Sequence, residues 1–210
     1  VLPGIASRVT VLANHCSEFV ASPYARTGIL ENNPIHEDMV YAGKTAKLAY
    51  IVNVVIDENK EAIYAVAGDM EQAHKKGCDF LSGLCKAQAL PGDIVISTNG
   101  GYPLDQNIYQ SVKGMTAAEA TVKKDGVIIM LSKCNDGTGG DHFYHQMAEF
   151  DDLDKIEAKL MARGRNETLT DQWMTQILTR ILKNSSVVYV SDAVKSKLPA
   201  EAPMPAVVKS

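Results

Sequence analysis

Three side chains that could bind a small anion follow a glycine-rich stretch in the second half of the sequence. The stretch NGGYPLD (99–105) leads into a segment with helical spacing that carries Tyr109, Gln110 and Lys113. Tyr109 and Lys113 are four residues apart and therefore share one helix face. A phenol, an amide and an ammonium group can together bind a carboxylate, because lysine supplies charge and glutamine supplies directed donors. Spacing alone still favours a simpler interpretation, a solvated helix face with one packed aromatic ring.

The histidines offer few combinations for a metal site. His142 and His145 lie three residues apart in a predicted helix, but no cysteine or carboxylate stands at a spacing that completes a zinc set. We therefore predict that both are structural or on the surface, and His74 is predicted to lie on a helix surface. His15 ends a β-like run, VTVLANH (9–15), and a strand tip could aim it into a site. Spacing alone does not set His15 apart from the other histidines.

Alternating strands and helices must position these side chains. The predicted strands are 49–57, 61–69, 93–97, 126–132 and 186–192, and the predicted helices are 70–87, 105–120, 141–150, 151–164 and 170–184. We expect Asp105 to cap helix 105–120, and Thr170 or Asp171 to cap helix 170–184. Strand 93–97 has the composition of a buried strand. The alternation predicts an α/β fold with a layered, parallel-type sheet and flanking helices, in two lobes of which the first is incomplete in this chain.

Two glycine-bearing loops follow consecutive strands of the predicted sheet. They are STNGGYPLD (97–105) and SKCNDGTGGDH (132–142). Ligands bind outside the carboxyl ends of strands in open α/β sheets, and glycine lets the backbone approach a ligand closely. Neither loop is a nucleotide-binding fingerprint, and glycines also simply make turns, so a ligand role and a turn role both remain open.

Composition narrows the class of protein. The formal charge of −4 argues against a broad nucleic-acid footprint, and no apolar run approaches the length that spans a bilayer. The four cysteines are far apart and form no C-x-x-C pair, which predicts reduced thiols and a cytoplasmic protein. The chain opens at Val1 directly into VLPGIAS, as the middle of a protein would, and we expect it to be a fragment.

Six long stretches of the chain resemble a single protein family. They cover nearly all of positions 1–192, whereas the tail from about 195 matches poorly. The stretches are VLPGIASRVTVLANH (1–15), SPYARTGIL (22–30), IHEDMVYAGKTAKLAYIVNVVID (35–57), AGDMEQAHKKGCDF (67–80), STNGGYPLDQNIYQSVKGMTAAEAT (97–121) and DQWMTQILTRIL (171–182). Together they resemble the second half of the nickel-pincer-dependent lactate racemases, which are isomerases of 2-hydroxy acids.

The resemblance implies a nickel cofactor. The family holds nickel in a pyridinium-3-thioamide-5-thiocarboxylic acid mononucleotide, the nickel-pincer nucleotide, through two sulfurs, one ring carbon and one histidine that matches His15. A thioamide joins this cofactor to a lysine just before VLPGIAS, at a position that precedes Val1. Two base histidines and a substrate-site arginine belong to the first half of the family's proteins. The chain by itself is therefore predicted to be inactive.

The resemblance also implies how the chain divides. Residues 1–91 would be the remainder of an N-terminal, cofactor-side domain, and residues 92–195 a C-terminal α/β domain. The boundary falls at Pro91–Gly92, where turn residues interrupt the pattern. Residues 196–210 would form a loose, proline-rich tail.

The substrate site implied by the resemblance consists of Tyr109, Gln110, Lys113 and Trp173. Gln110 and Lys113 would lie near the carboxylate of the 2-hydroxy acid, and the dipole of their helix would also favour an anion. The implied reaction removes hydride from C2 of lactate to the cofactor, passes through pyruvate and returns hydride to the other face, while a histidine takes the hydroxyl proton. The implied partners are lactate, pyruvate, the N-terminal half of the same enzyme and cofactor-maturation proteins. Neither nucleic acid nor a membrane is expected.

Two alternatives to lactate racemisation stay open. The first is a racemase or epimerase of another 2-hydroxy acid, which the side chains around Trp173 and the missing half of the enzyme would decide. The second is a non-catalytic α/β module that binds an anion or a partner protein. Nickel content and lactate inversion would separate these classes.

Overall fold

The computed structural model describes residues 1–191 and the short strand Ala206–Val208. In chain order the helices and strands are α1 (Arg8–Asn14), α2 (Ser17–Ala21), α3 (Pro34–Thr45), β1 (Ile51–Ile56), β2 (Ala62–Gly68), α4 (Met70–Cys85), β3 (Gly92–Thr98), α5 (Ile108–Glu119), β4 (Val122–Leu131), α6 (Asp141–Ala148), α7 (Leu153–Met161), α8 (Gln172–Asn184), β5 (Ser186–Val190) and β6 (Ala206–Val208).

These elements form two compact units. The first unit comprises Val1–Asn14 and Ser22–Gln88, and the second comprises His15–Ala21 and the chain from Ala89 onward. The short segment His15–Ala21 therefore belongs to the second unit, although both of its sequence neighbours belong to the first.

A helix, and not the predicted β-like run, occupies residues 8–14. Ser7 starts this helix: its carbonyl accepts the amide of Val11 at 3.1 Å, and its Oγ accepts the amide of Thr10 at 3.4 Å. A capped helix start outweighs the weak β preference of the valines in this stretch. His15 consequently follows the end of a helix and does not stand at a strand tip.

The first unit contains a hairpin formed by the predicted strands 49–57 and 61–69. Strands β1 and β2 pair antiparallel from Ile51 opposite Gly68 to Ile56 opposite Ala62. Helix α4 follows at once, because the Asp69 carboxylate caps its first amides.

The second unit contains a four-stranded sheet in the order β3-β4-β5-β6, and every pair in it is parallel. Helix α5 connects β3 to β4, and helices α6, α7 and α8 lie between β4 and β5 in the chain. This arrangement confirms the predicted α/β fold with a parallel sheet and flanking helices.

The core of the second unit lies on one face of this sheet. Its buried apolar side chains come from β4, β5 and the helices, and include Ile108, Val112, Met115, Ile128, Met130, Phe143, Met147, Leu178, Ile181 and Tyr189. Strand β3 is at the sheet edge, and its Val95 packs against this core. Ile94 and Ile96 point to the other face and are 64% and 66% exposed. The prediction that strand 93–97 is buried is therefore wrong: three of its five side chains are exposed, and Val95 and Ser97 are only partly buried.

Most of the predicted tail, 196–210, lies outside the described residues. The exception is β6, whose residues pair with Val188, Tyr189 and Val190. No helix in the described part of the chain combines the length and apolarity that crossing a membrane requires.

Candidate functional site

Helix α5, which carries Tyr109, Gln110 and Lys113, is capped by Asn107 and not by Asp105. Asn107 Oδ1 accepts the amide of Gln110 at 2.9 Å. Asp105 serves the neighbouring loop instead, where its Oδ2 accepts the amide of Lys133 at 3.1 Å. Asparagine and aspartate are equally good caps, so the choice depends on how the two loops fit together.

The two glycine-rich loops bind each other at the start of α5. The amide of Ile108 donates to the carbonyl of Gly137 at 3.0 Å, and that of Tyr109 to the carbonyl of Thr138 at 3.1 Å. With the Gln110 amide bound to the cap residue, the first three amides of the helix already have acceptors. These three amides are therefore not free to bind an anion directly, and the effect of the helix dipole on an anion stays a prediction.

Tyr109 is half-buried between two aromatic neighbours. Its ring lies edge-to-face on Phe143, with centroids 5.7 Å apart, and its hydroxyl group lies near Trp173 and Asp171. Burial, and next the charge of Asp171, raise the pKa of Tyr109 above its usual value of 10. Tyr109 is therefore neutral at physiological pH.

Trp173, in the first turn of α8, connects Tyr109 to His15. The imidazole of His15 meets the indole ring in an edge contact, with centroids 5.0 Å apart and an interplanar angle of 61°. The structure thus brings together three of the predicted site residues, His15, Trp173 and Tyr109, which come from distant parts of the sequence.

A buried polar cluster holds the segment after His15 against α7 and α8. Ser17 Oγ donates to the carbonyl of Leu160 at 2.8 Å and accepts from Gln172 Nε2 at 2.6 Å. Gln176 Nε2 donates to the carbonyl of Ser17 at 2.9 Å. Because polar groups this deeply buried are costly to leave unpaired, these bonds fix where α2 packs. The position of His15 beside Trp173 follows from that packing.

Gln110 and Lys113 form a donor pair on the next turn of α5. Lys113 Nζ donates to Gln110 Oε1 at 2.8 Å, which leaves the side-chain amide N–H groups of Gln110 as donors. The main chain at Gln110 is fixed by Asn99, whose Nδ2 donates to its carbonyl at 3.0 Å. Lys113 is exposed, and within residues 1–191 it forms no salt bridge. Its charge is therefore not neutralised by a carboxylate of the described chain.

The sequence did not reveal that the charge of Asp171 lies close enough to Tyr109 to raise the phenol pKa. Asp171 was expected to cap α8 and does occupy the cap position, but its side chain makes no capping hydrogen bond. The sequence shows Asp171 two residues before Trp173, but this spacing alone does not predict that its charge lies near Tyr109.

Metal-ligating side chains are sparse in the described residues. No group of three or more histidine, cysteine, aspartate or glutamate side chains there could hold a metal ion. His142 and His145 are exposed on α6, in agreement with a surface location, whereas His74 is half-buried and stacks on His36. His15 could therefore supply a single ligand to a metal whose other ligands come from elsewhere.

Comparison with known proteins supplies the family. Residues 87–208 match the family described as lactate racemase C-terminal domain. The chain belongs to the lactate racemase family. Two curated lactate racemases are similar to it: that of Thermoanaerobacterium thermosaccharolyticum is 58% identical over 92% of the chain, and that of Lactiplantibacillus plantarum is 57% identical over 94%. The chain spans less than half of each relative, 45% and 47% of their lengths.

Solved structures agree with this lactate racemase assignment. The structure of the lactate racemase apoprotein from Thermoanaerobacterium thermosaccharolyticum superposes with a TM-score of 0.89 at 59% identity, over 91% of this chain and 46% of that one. A crystal structure of a protein from Thermotoga maritima has a TM-score of 0.52 at 14% identity, over 85% of this chain and 54% of that one. The second likeness concerns the fold alone.

Proposed function

We propose that this chain supplies the substrate-binding wall and the metal-ligating histidine of a lactate racemase, an isomerase that interconverts L- and D-lactate. The observation that carries the proposal is the wall formed by His15, Trp173 and Tyr109, with the Gln110–Lys113 pair on the next turn of α5. Lactate presents a carboxylate, a hydroxyl and a methyl group, and this wall offers a cation with amide donors beside aromatic surface.

The carboxylate of lactate would bind Lys113 and Gln110. The lysine contributes a charge without an acidic partner in the described chain, and the glutamine is turned by its bond to Nζ so that its N–H groups are left to donate. Both side chains are on a helix whose start is fixed by the cap of Asn107, which keeps the donors in register. These residues would orient C2 of lactate and leave the hydroxyl proton to a base elsewhere in the enzyme.

The half-buried ring of Tyr109 and the indole of Trp173 would exclude water from one side of the substrate. The Tyr109 ring packs on Phe143 and the Trp173 indole contacts His15, so the pair presents mainly aromatic surface. A dry wall strengthens the electrostatic interaction between Lys113 and a carboxylate.

The chain's residues fit a nickel-pincer nucleotide. Imidazole is a common nickel ligand, and a metal that receives its other donors from an organic group needs only one protein histidine. His15 is half-buried beside an aromatic ring and is not part of a larger ligand cluster in the described residues, as such a group requires. When bound, this cofactor supplies the acceptance and return of hydride at C2 of lactate.

The remaining catalytic groups would lie in the part of the longer relatives that this chain does not span. Those relatives are about twice its length, and we refer to such a longer protein carrying this chain as the intact racemase. Its proposed partners are lactate, pyruvate and the proteins that make the cofactor. The four cysteines are free thiols, which is consistent with our proposal that it acts in the cytoplasm.

The test is to produce the intact racemase with its cofactor, measure nickel by mass spectrometry and follow L-lactate conversion to D-lactate by chiral chromatography. We expect nickel-dependent inversion, and His15→Ala should lose both nickel and activity. His142→Ala and His145→Ala are matched controls and should keep both. Full nickel occupancy in His15→Ala would refute the ligand assignment, and a nickel-loaded wild-type protein without lactate inversion would refute the proposed reaction.

A further inference from the structure

We propose that Ser17 is a positioning residue of this site and holds His15 in ring contact with Trp173. Side chains of α8 bind both the hydroxyl and the carbonyl of Ser17, which stands only two residues after His15. The consequence for nickel and for catalysis rests on the proposed function, whereas the effect on the contact between His15 and Trp173 does not.

The short helix α2 cannot hold this segment in place by its own hydrogen bonds. It has five residues, Ser17–Ala21, and helices of this length are not stable by themselves in water. Cys16 and Val20 are buried beside it, but the burial of apolar side chains has no preferred direction. The hydrogen bonds of Ser17, which is itself 1% exposed, supply direction.

The side chain of Gln172 points its donor at Ser17. Its Oε1 accepts the amide of Leu169 at 3.1 Å and Arg163 Nη1 at 3.2 Å. The other end of the amide group, Nε2, therefore donates to Ser17 Oγ, at 2.6 Å. Ser17 Oγ in turn donates to the carbonyl of Leu160 at 2.8 Å. The Ser17 hydroxyl thus has a donor and an acceptor in fixed places, and loss of either bond would leave buried groups unpaired.

This chain of hydrogen bonds spans the contact between His15 and Trp173. Ser17 follows His15 by two residues, and Gln172 directly precedes Trp173. The bond between Ser17 and Gln172 therefore ties the residues next to one ring to the residues next to the other. A second bond runs from Gln176 Nε2, on the next turn of α8, to the carbonyl of Ser17 at 2.9 Å. Because both bonds come from one helix, the segment cannot turn about one of them without breaking the other.

Three substitutions separate positioning from stability. Ser17→Ala removes the hydroxyl, and Gln176→Met removes the second donor while it keeps most of the side-chain length. Ser185→Ala is the matched control, because Ser185 is a buried serine whose hydroxyl donates to the carbonyl of Ile181 at 3.0 Å. It follows the last residue of α8, at the end opposite to Trp173 and about 18 Å away along the helix axis.

The first measurement uses residues 1–210, in which Trp173 is the only tryptophan. His15→Ala should change the fluorescence emission of Trp173, because the two rings are in contact. Ser17→Ala and Gln176→Met should each change it in the same direction, at temperatures well below melting, and Ser185→Ala should not. In the His15→Ala background neither should change the emission further, because a residue that acts by placing His15 has no effect once the imidazole is gone.

The outcome decides between two roles for Ser17. An equal change in emission with and without His15, or no change in either background, would overturn the positioning role and leave Ser17 a purely structural residue. If Ser17→Ala does not fold, Gln176→Met gives the same test, because it removes a different bond to the same residue.

The second measurement uses the intact racemase. Removing a group that holds a metal ligand in place lowers metal affinity or activity by about 10- to 100-fold, so Ser17→Ala should lose nickel to a chelator faster and show a kcat for lactate lower by about this factor. The KM should change much less, because Gln110 and Lys113 are untouched. A wild-type protein without lactate inversion would refute the proposed function and leave the fluorescence result to decide the contact. A racemase in which Ser17→Ala and Gln176→Met match Ser185→Ala in nickel retention and kcat would refute the positioning role.

Discussion

Replacing Lys113 with methionine would remove the only positive charge on α5 and keep most of the side-chain length. Lys113 is exposed in this structure, and a hydrogen bond to a charged group that is not fully desolvated contributes about 1.5–3 kcal/mol. At about 1.4 kcal/mol for each factor of ten, kcat/KM for lactate should fall about 10- to 150-fold in the intact racemase. Thermal stability should not change, because Lys113 makes no salt bridge within residues 1–191.

Gln110→Ala should have a smaller effect than Lys113→Met. A neutral hydrogen bond contributes about 0.5–1.5 kcal/mol, which predicts a fall of about 2- to 12-fold. Because Lys113 Nζ is 2.8 Å from Gln110 Oε1, each residue orients the other, and the double variant should lose less than the product of the single losses.

The assay is L-lactate inversion over a range of concentrations, with each variant checked for nickel content and melting temperature. Lys124→Met is the matched control, since Lys124 is an exposed lysine at the start of β4 and should be neutral. Lys113→Arg keeps the charge and should lose less than Lys113→Met. A Lys113→Met enzyme with the kcat/KM of the Lys124→Met enzyme would refute the carboxylate-binding role.

Three further predictions concern stability. Gly114→Ala should lower the free energy of unfolding by about 1–3 kcal/mol in urea titrations, because its Cβ would lie 2.7 Å from the carbonyl oxygen of Thr98. Tyr189→Phe should be tolerated within about 1 kcal/mol at neutral pH, since the buried hydroxyl has no hydrogen bond of acceptable geometry. Burial raises the pKa of Tyr189 well above 10, so its neutral form stabilises the fold below pH 10, and Tyr189→Phe should lessen the stability loss at higher pH. Burial, and next the nearby His74, lower the pKa of His36 below 6.5. The neutral form of His36 therefore contributes stability that is present above pH 6.5 and is lost as the pH falls. The melting temperature of His36→Gln should accordingly depend less on pH between pH 7.5 and 4.5.

Local pattern in the sequence determined the element types of the second unit. The period of apolar residues predicted α5 and α8, and the continuous apolar run 126–132 predicted a parallel strand, as the structure confirms. Local pattern also predicted that Gln110 and Lys113 are close together, because residues three apart on a helix are neighbours in any fold. The family assignment also came from the sequence, because the stretches that carry it are long and specific.

Helix caps and strand burial depend on neighbours that local pattern does not specify. Residues 8–14 have valines typical of a strand, yet the cap at Ser7 and the helix that follows it prevail. Ile94 and Ile96 have the composition of a buried strand, but β3 is an edge strand with a face that no helix of the second unit's described residues covers. Asn107 caps α5 in place of the predicted Asp105, because two loops that are distant in sequence bind each other.

The site itself shows the same division. The sequence proposed Tyr109, Trp173 and His15 separately, and only the tertiary structure brought their rings into one wall. It also placed the charge of Asp171 near the phenol of Tyr109, on a left-handed backbone that no propensity predicts. The physical reason is that periodicity encodes contacts within one helix or strand, whereas side chains from different elements meet only after the buried polar bonds of Ser17 and the packing of the loops have fixed where those elements lie.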